Sequence, residues 1–194
     1  MHLLDFLGAA FGIADTVLLI RCSIWAWPVG ILAILLNSLL YWHSLLFADM
    51  CLQSLYLALY IYGWVYWQHR NHRQKKIDQL NLKQASRLLL YAVIFILLIH
   101  HLLSEFTPST TPWFDATTTV LAIVAQWLTC KRVLQNWLLW FVNDTLYSIL
   151  YAYKQLPFHV AEHLFYLSLA VIGYYAWTKK KRNVSTTGLN TGYA

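Results

Sequence analysis

Seven long apolar runs dominate this chain, and most are separated by only a handful of residues. They cover about 3–20, 24–44, 47–67, 88–104, 114–130, 133–153 and 158–177. A bilayer's hydrocarbon core is about 30 Å thick and takes roughly 20 apolar residues as a helix, so each run has the length of a membrane span. Short connections make neighbouring helices antiparallel hairpins. Hydrophobic residues are 59% of the chain, charged residues 11%, and mean hydropathy is +0.49. A water-soluble protein of this size would need more polar surface to cover its core. An all-α integral membrane protein is expected.

The net charge of +6 does not point to nucleic acid, because the basic residues flank apolar runs. With the C-terminus inside, Arg21, the cluster from Arg70 to Arg87, Lys131, Arg132 and the run Lys179 to Arg182 all fall in the cytoplasm. Only Lys154 is left outside, a bias of 13 to 1 that sets the N-terminus outside and the C-terminus inside. A cell membrane, crossed several times, is the expected location. The first run has no basic leader and no small-residue cleavage site, which reads as a retained helix. Cys22, Cys51 and Cys130 have neither CxxC spacing nor even pairing, so no zinc site or disulfide framework is indicated.

Shifting the chain by 110 residues aligns Asp5 with Asp115, Trp27 with Trp137, Ser38 with Ser148 and Tyr41 with Tyr151. The same shift aligns Tyr56 with Tyr166, Gly63 with Gly173 and Trp67 with Trp177, without a gap. The chain therefore divides into a three-helix repeat over 1–67, a basic loop with a linking helix over 68–113, and a second repeat over 114–178. A basic, then polar, tail covers 179–194. One linking helix returns the chain, so the repeats enter the membrane in the same direction, and transporters of this kind bind substrate near the midplane between repeats.

Polar side chains within spans usually face the bundle interior. At 100° per residue, Trp137, Trp140, Asp144, Tyr147, Ser148 and Tyr151 share a stripe roughly 100° wide. Trp27, Asn37, Ser38 and Tyr41 share a face of the second span. Asp49, Gln53, Tyr56, Tyr60, Gly63 and Trp67 share one of the third. His159, His163, Tyr166, Gly173 and Trp177 do so in the seventh. Most have plain readings. Trp67 and Trp177 stand at span ends beside basic residues, as interfacial anchors do. Gly63 and Gly173 suit close helix approach. Tyr41 and Tyr56 suit packing, and Asp49 and His159 lie near outer ends. Asp144 is different: it sits about two turns into its span, where a charge costs about 2.5–3.5 kcal/mol. Its repeat counterpart is Ile34, so the scaffold does not require an acid there.

Several function classes lack parts. His159, Glu162 and His163 match the HxxEH pattern of inverted zinc peptidases, a second reading as a membrane-embedded zinc hydrolase. No acidic third ligand follows Glu162, and the other repeat has Asp49, Leu52 and Gln53 instead. There is no GxxxxGK[ST] loop for ATP and no lysine in 158–177 for retinal.

The strings IWAWPVG (Ile24 to Gly30), LLFADMCLQSLYLALYIYGWVYW (Leu45 to Trp67), DATTTVLAIVAQWL (Asp115 to Leu128) and NWLLWFVND (Asn136 to Asp144) together resemble the PnuC family. These are bacterial nicotinamide riboside transporters and their vitamin-transporting relatives. The resemblance implies a three-plus-one-plus-three fold similar to the SWEET sugar transporters. It implies facilitated diffusion of an unphosphorylated vitamin, trapped by a cytoplasmic kinase, with no enzymatic activity. Trp137 and Trp140 match the family's WxxW motif, Asp144 the Asp or Asn four residues later, and Gln53 and Gln126 its span-3 and span-5 glutamines. Phe47 departs from the tyrosine of the family's YADxxLQ pattern. With Asn37 and Tyr147 these make the expected substrate site.

Nicotinamide riboside carries a cationic ring, which indole faces and a carboxylate can hold. Asn37, Gln53 and Gln126 offer amides to hydroxyls or a carboxamide. Thiamine, also a cationic ring, is the alternative; neutral riboflavin fits less well. The expected partners are the bilayer, the vitamin and the kinase, with a homo-oligomer left open and no cofactor.

Overall fold

The structure, a computed structural model, describes residues 2–43, 47–71, 76–107, 110–155 and 157–190. Side chains are excluded at 2, 3, 5, 41, 43, 47–51, 70, 71 and 184–190. Asp5, Tyr41, Phe47, Asp49, Cys51, Arg70, Arg73 and Lys75 therefore lie outside the described side chains.

Seven helices follow in order: α1 (His2–Ile20), α2 (Ala26–His43), α3 (Phe47–Asn71), α4 (Leu82–Phe106), α5 (Pro112–Cys130), α6 (Asn136–Tyr153) and α7 (Pro157–Asn190). This is the three-plus-one-plus-three membrane fold. α4 and α7 outrun the expected spans furthest. α4 begins at Leu82 rather than 88, because Asn81 and Gln84 form a reciprocal capping box that satisfies two backbone N–H groups. α7 continues past 177 through Lys179 to Arg182, good helix formers with no glycine or proline until Gly188.

The linking helix carries the clearest mark of lipid. Ala92 is its buried residue, while Leu89, Leu90, Val93, Ile94, Phe95, Leu97 and Leu98 are all exposed. Water would penalise that much apolar surface; hydrocarbon does not.

The chain forms two compact units. The first comprises 1–77, 129–131 and 176–194, with α1 packed on α2 and α2 on α3. The second comprises 78–128 and 132–175.

The duplication is visible in backbone geometry. After α1, Cys22 takes φ 54° and Ser23 N–H bonds to Leu18 O at 2.9 Å. After α5, Arg132 takes φ 55° and Val133 N–H bonds to Leu128 O at 2.9 Å. Both are left-handed helix stops of the Schellman type, made without the glycine usual there. Each opens the next helix alike: Trp27 N–H bonds to Ile24 O, and Trp137 N–H to Leu134 O. Ser38 and Ser148 each bond back to the carbonyl four residues earlier at 2.8 Å.

Close approach between helices is also duplicated. A Cβ on Gly63 would stand 2.1 Å from the Trp27 ring, and one on Gly173 would stand 2.6 Å from the Trp137 ring. The tryptophan of the middle helix thus lies on the bare backbone of the third helix in each repeat. One feature of the second unit has no such echo among the described residues of the first. The segment before α4 is strapped to the α5–α6 turn by Asp78 N–H to Arg132 O and Leu134 N–H to Asp78 O, both 2.9 Å. The Gln135 side chain adds bonds to Leu80 N–H and O at 3.1 and 3.3 Å.

Gly63→Ala and Gly173→Ala should each displace an indole, lowering stability by about 1–3 kcal/mol, the cost of overpacking a filled interior. A thermal melt in detergent reads this as a lower Tm; an unchanged Tm would mean the indoles are not held on those glycines.

Candidate functional site

In the second unit the polar stripe of α6 meets α7. Asp144 is 6% exposed, and its Oδ1 lies 2.9 Å from His163 Nδ1, which donates to it. The His163 ring stacks on Tyr147 at 4.7 Å and on Tyr151 at 5.4 Å. Those two tyrosines, one helical turn apart, stack on each other at 5.8 Å. His159 stacks on Tyr151 at 4.9 Å, and its Nδ1 is 3.6 Å from Glu162. The HxxEH residues are thus engaged with a carboxylate and phenol rings, and among the described residues no three metal-ligating side chains converge.

The other expected site residues of this unit are less uniform. Trp137 is buried and lies on Gly173, as its counterpart Trp27 lies on Gly63, so both have a packing role. Trp140 is half-buried. Gln126 is 2% exposed, and its Nε2 has no hydrogen-bond partner among the described residues. Asn143, beside Asp144, is equally buried, with its Oδ1 unpartnered among the described residues. Unsatisfied buried amides are costly in a dry interior. Of the expected set, Asp144 and Tyr147 are brought together around His163.

Asn37 and Gln53 belong to the first unit. The Asn37 amide lies on the α1 backbone at Gly8, where a Cβ would stand 2.2 Å from its Oδ1. Gln53 is half-buried.

The first unit also holds a carboxylate that sequence reasoning passed over. Asp15 of α1 is 4% exposed and accepts a bond from Tyr60 OH of α3, 2.5 Å from its Oδ2. The pair meets over Gly30 of α2, where a Cβ would stand 2.1 Å from Tyr60 and 3.0 Å from Asp15. An acid in the middle of an apolar run was the available signal, the same one that singled out Asp144.

Trp67 and Trp177 are not interfacial anchors. Both are 0% exposed, with indole N–H groups donating to Cys130 O at 3.0 Å and Leu19 O at 3.1 Å. Trp27 meets Trp67 edge-on at 5.2 Å, and Trp67 meets Trp177 at 6.4 Å. The carbonyls they reach lie in the last turns of α5 and α1, and Leu19 O also accepts Cys22 N–H at 2.9 Å. Beside them, Lys131 reaches the Tyr62 hydroxyl and lies over the Tyr66 ring at 4.4 Å.

Comparison with known proteins turns this scaffold into a function class. The family described as nicotinamide mononucleotide transporter matches residues 2–179. The chain belongs to that family. It is 23% identical to the nicotinamide riboside transporter PnuC of Escherichia coli, over 83% of this chain and 79% of that protein. It is 26% identical to the riboflavin/roseoflavin transporter RibM of Streptomyces davaonensis, over 93% and 87%. The crystal structure of the vitamin B3 transporter PnuC matches with a TM-score of 0.76 and 25% identity, covering 93% of this chain and 82% of that one. The protein is a multi-pass membrane transporter of the PnuC type, not an enzyme.

Tyr60→Phe removes the donor to Asp15 and leaves a buried carboxyl without its bond, which should destabilise the fold by about 1–3 kcal/mol. A thermal melt checks it: a Tm equal to wild type would show that the pair contributes nothing.

Proposed function

We propose that this transporter carries nicotinamide riboside into the cytoplasm by facilitated diffusion, and that a cytoplasmic kinase phosphorylates and so traps it. The observation that supports the reading is Asp144, a buried carboxylate flanked by the aromatic face of α6. A pyridinium ring offers the charge such a carboxylate needs, and a desolvated cation on an aromatic face gains about 0.5–2 kcal/mol. Asp144, Tyr147, Trp140 and Gln126 are assigned to the substrate, Gln126 supplying an amide for its hydroxyls or carboxamide. Trp137 forms the wall behind them. The N-terminus is assigned to the outside and the C-terminus, with Lys179 to Arg182, to the cytoplasm.

The relative RibM is named for riboflavin and roseoflavin. Riboflavin is neutral and has no charge for Asp144 to offset, which favours a cationic ring here. Thiamine shares that property and is the competing substrate.

Calorimetry on purified protein against nicotinamide riboside, thiamine and riboflavin tests the assignment. Nicotinamide riboside should bind most tightly. Asp144→Ala should weaken it by about 10- to 100-fold, the value of a charge-assisted contact of about 1.5–3 kcal/mol, with the protein still inserted and folded. Unchanged affinity would give Asp144 a structural role instead, and tighter binding of thiamine would reassign the substrate.

A further inference from the structure

The substrate reading leaves His163 without a role, yet this imidazole sits on the Asp144 carboxylate itself. Its Nδ1 bonds to Oδ1 at 2.9 Å, with 18% of the histidine side chain and 9% of the aspartate exposed. Its plane lies within 23° of Tyr147 and 22° of Tyr151, and those rings are within 14° of each other. A flat nitrogen heterocycle already occupies one carboxylate and two phenol faces. Those are the groups that recognise a planar heteroaromatic cation.

The duplication shows that the pair is not needed by the scaffold. Under the 110-residue offset, Asp144 corresponds to Ile34 and His163 to Gln53. Both members of the pair are absent from the first repeat, which builds its α2–α3 contact without them. Backbone features on either side, the Ser38 and Ser148 bonds and the glycine seats, are retained in both. The acid and the imidazole thus distinguish one half of the molecule together.

We propose that His163 is an internal stand-in for the substrate's ring: it occupies Asp144 in the empty carrier and must release it when a cationic heteroaromatic ring binds. The inference rests on the reading of Asp144 as the substrate's carboxylate. Holding the carboxylate in this way keeps a buried negative charge partnered while the site is vacant, since an unpaired one is expensive. A ring lacking positive charge gains too little from Asp144 to displace an imidazole already hydrogen-bonded there. A cation gains enough. Around His163, α6 contributes Asp144, Tyr147 and Tyr151, and α7 contributes His159, Glu162 and Tyr166. Asp115 on α5 accepts a bond from Thr111, the residue just before that helix.

The test is calorimetric binding of nicotinamide riboside and of its neutral dihydropyridine form to wild type, His163→Ala and His163→Lys. Removing the competitor should tighten binding of the cationic form by about tenfold, the lower range of one hydrogen bond to a charged group. The neutral form should gain less. A lysine, permanently cationic at neutral pH, should hold Asp144 more firmly and weaken the cationic form by at least about tenfold, with little change for the neutral one. A merely structural histidine could lower affinity when replaced but would not raise it. Equal or weaker binding by His163→Ala, or cationic binding by His163→Lys at wild-type strength, overturns the proposal. Failure of the underlying substrate reading would look different. Wild type itself would then bind the cationic form no better than the neutral one, and the inference would fall with it.

Discussion

An indole seated against a helix backbone, where glycine leaves the space, is the contact on which both halves of this protein depend. Trp27 occupies it at Gly63 and Trp137 at Gly173. Apolar helices gain nothing from hiding their side chains from lipid, so association must come from close packing and from hydrogen bonds. The glycine lets the middle and third helices of each repeat approach closely, and the indole fills the remaining space. The helix-stopping turns at Cys22 and Arg132 then set where each of those tryptophans enters its helix. A repeat built on these two devices needs few other constraints, which leaves its remaining polar positions free to differ.

They differ most at the carboxylates. The first unit buries Asp15 against Tyr60 over Gly30, joining α1 to α3 across α2. The second buries Asp144 against His163, joining α6 to α7 within a stack of phenol and imidazole rings. The positions are not equivalent: Asp15 corresponds to Ala125, and Asp144 to Ile34. Each half therefore acquired its own buried acid on a common frame. The Asp15 carboxyl is closed in by a bulky phenol, whereas Asp144 is bonded by a ring that itself resembles a ligand. This asymmetry is why substrate chemistry is assigned to the second acid.

Much of this was legible in the residues, for identifiable reasons. Span lengths follow from hydrocarbon thickness, and the repeat is readable because Trp, Gly and Ser survive at one offset. The paired residues Trp27 with Gly63 and Trp137 with Gly173 were both visible as matches, although their mutual contact was not. What escaped was long-range. Nothing near Trp67 or Trp177 announces that their indoles reach Cys130 and Leu19, and the basic residues beside them suggested a lipid surface instead. Asp15 escaped because its partner Tyr60 lies 45 residues away and its seat, Gly30, looks like an ordinary helical glycine. His163 was visible only inside an HxxEH string, whose metal reading hid the simpler bond to Asp144.

Passive movement of a cationic vitamin nucleoside is what we propose for this scaffold. Uptake of labelled nicotinamide riboside into liposomes containing the purified protein, with no ion gradient imposed, tests it most directly. Entry should rise above protein-free liposomes and stop when inside and outside concentrations are equal. No entry of nicotinamide riboside under conditions where riboflavin or thiamine does enter would contradict it.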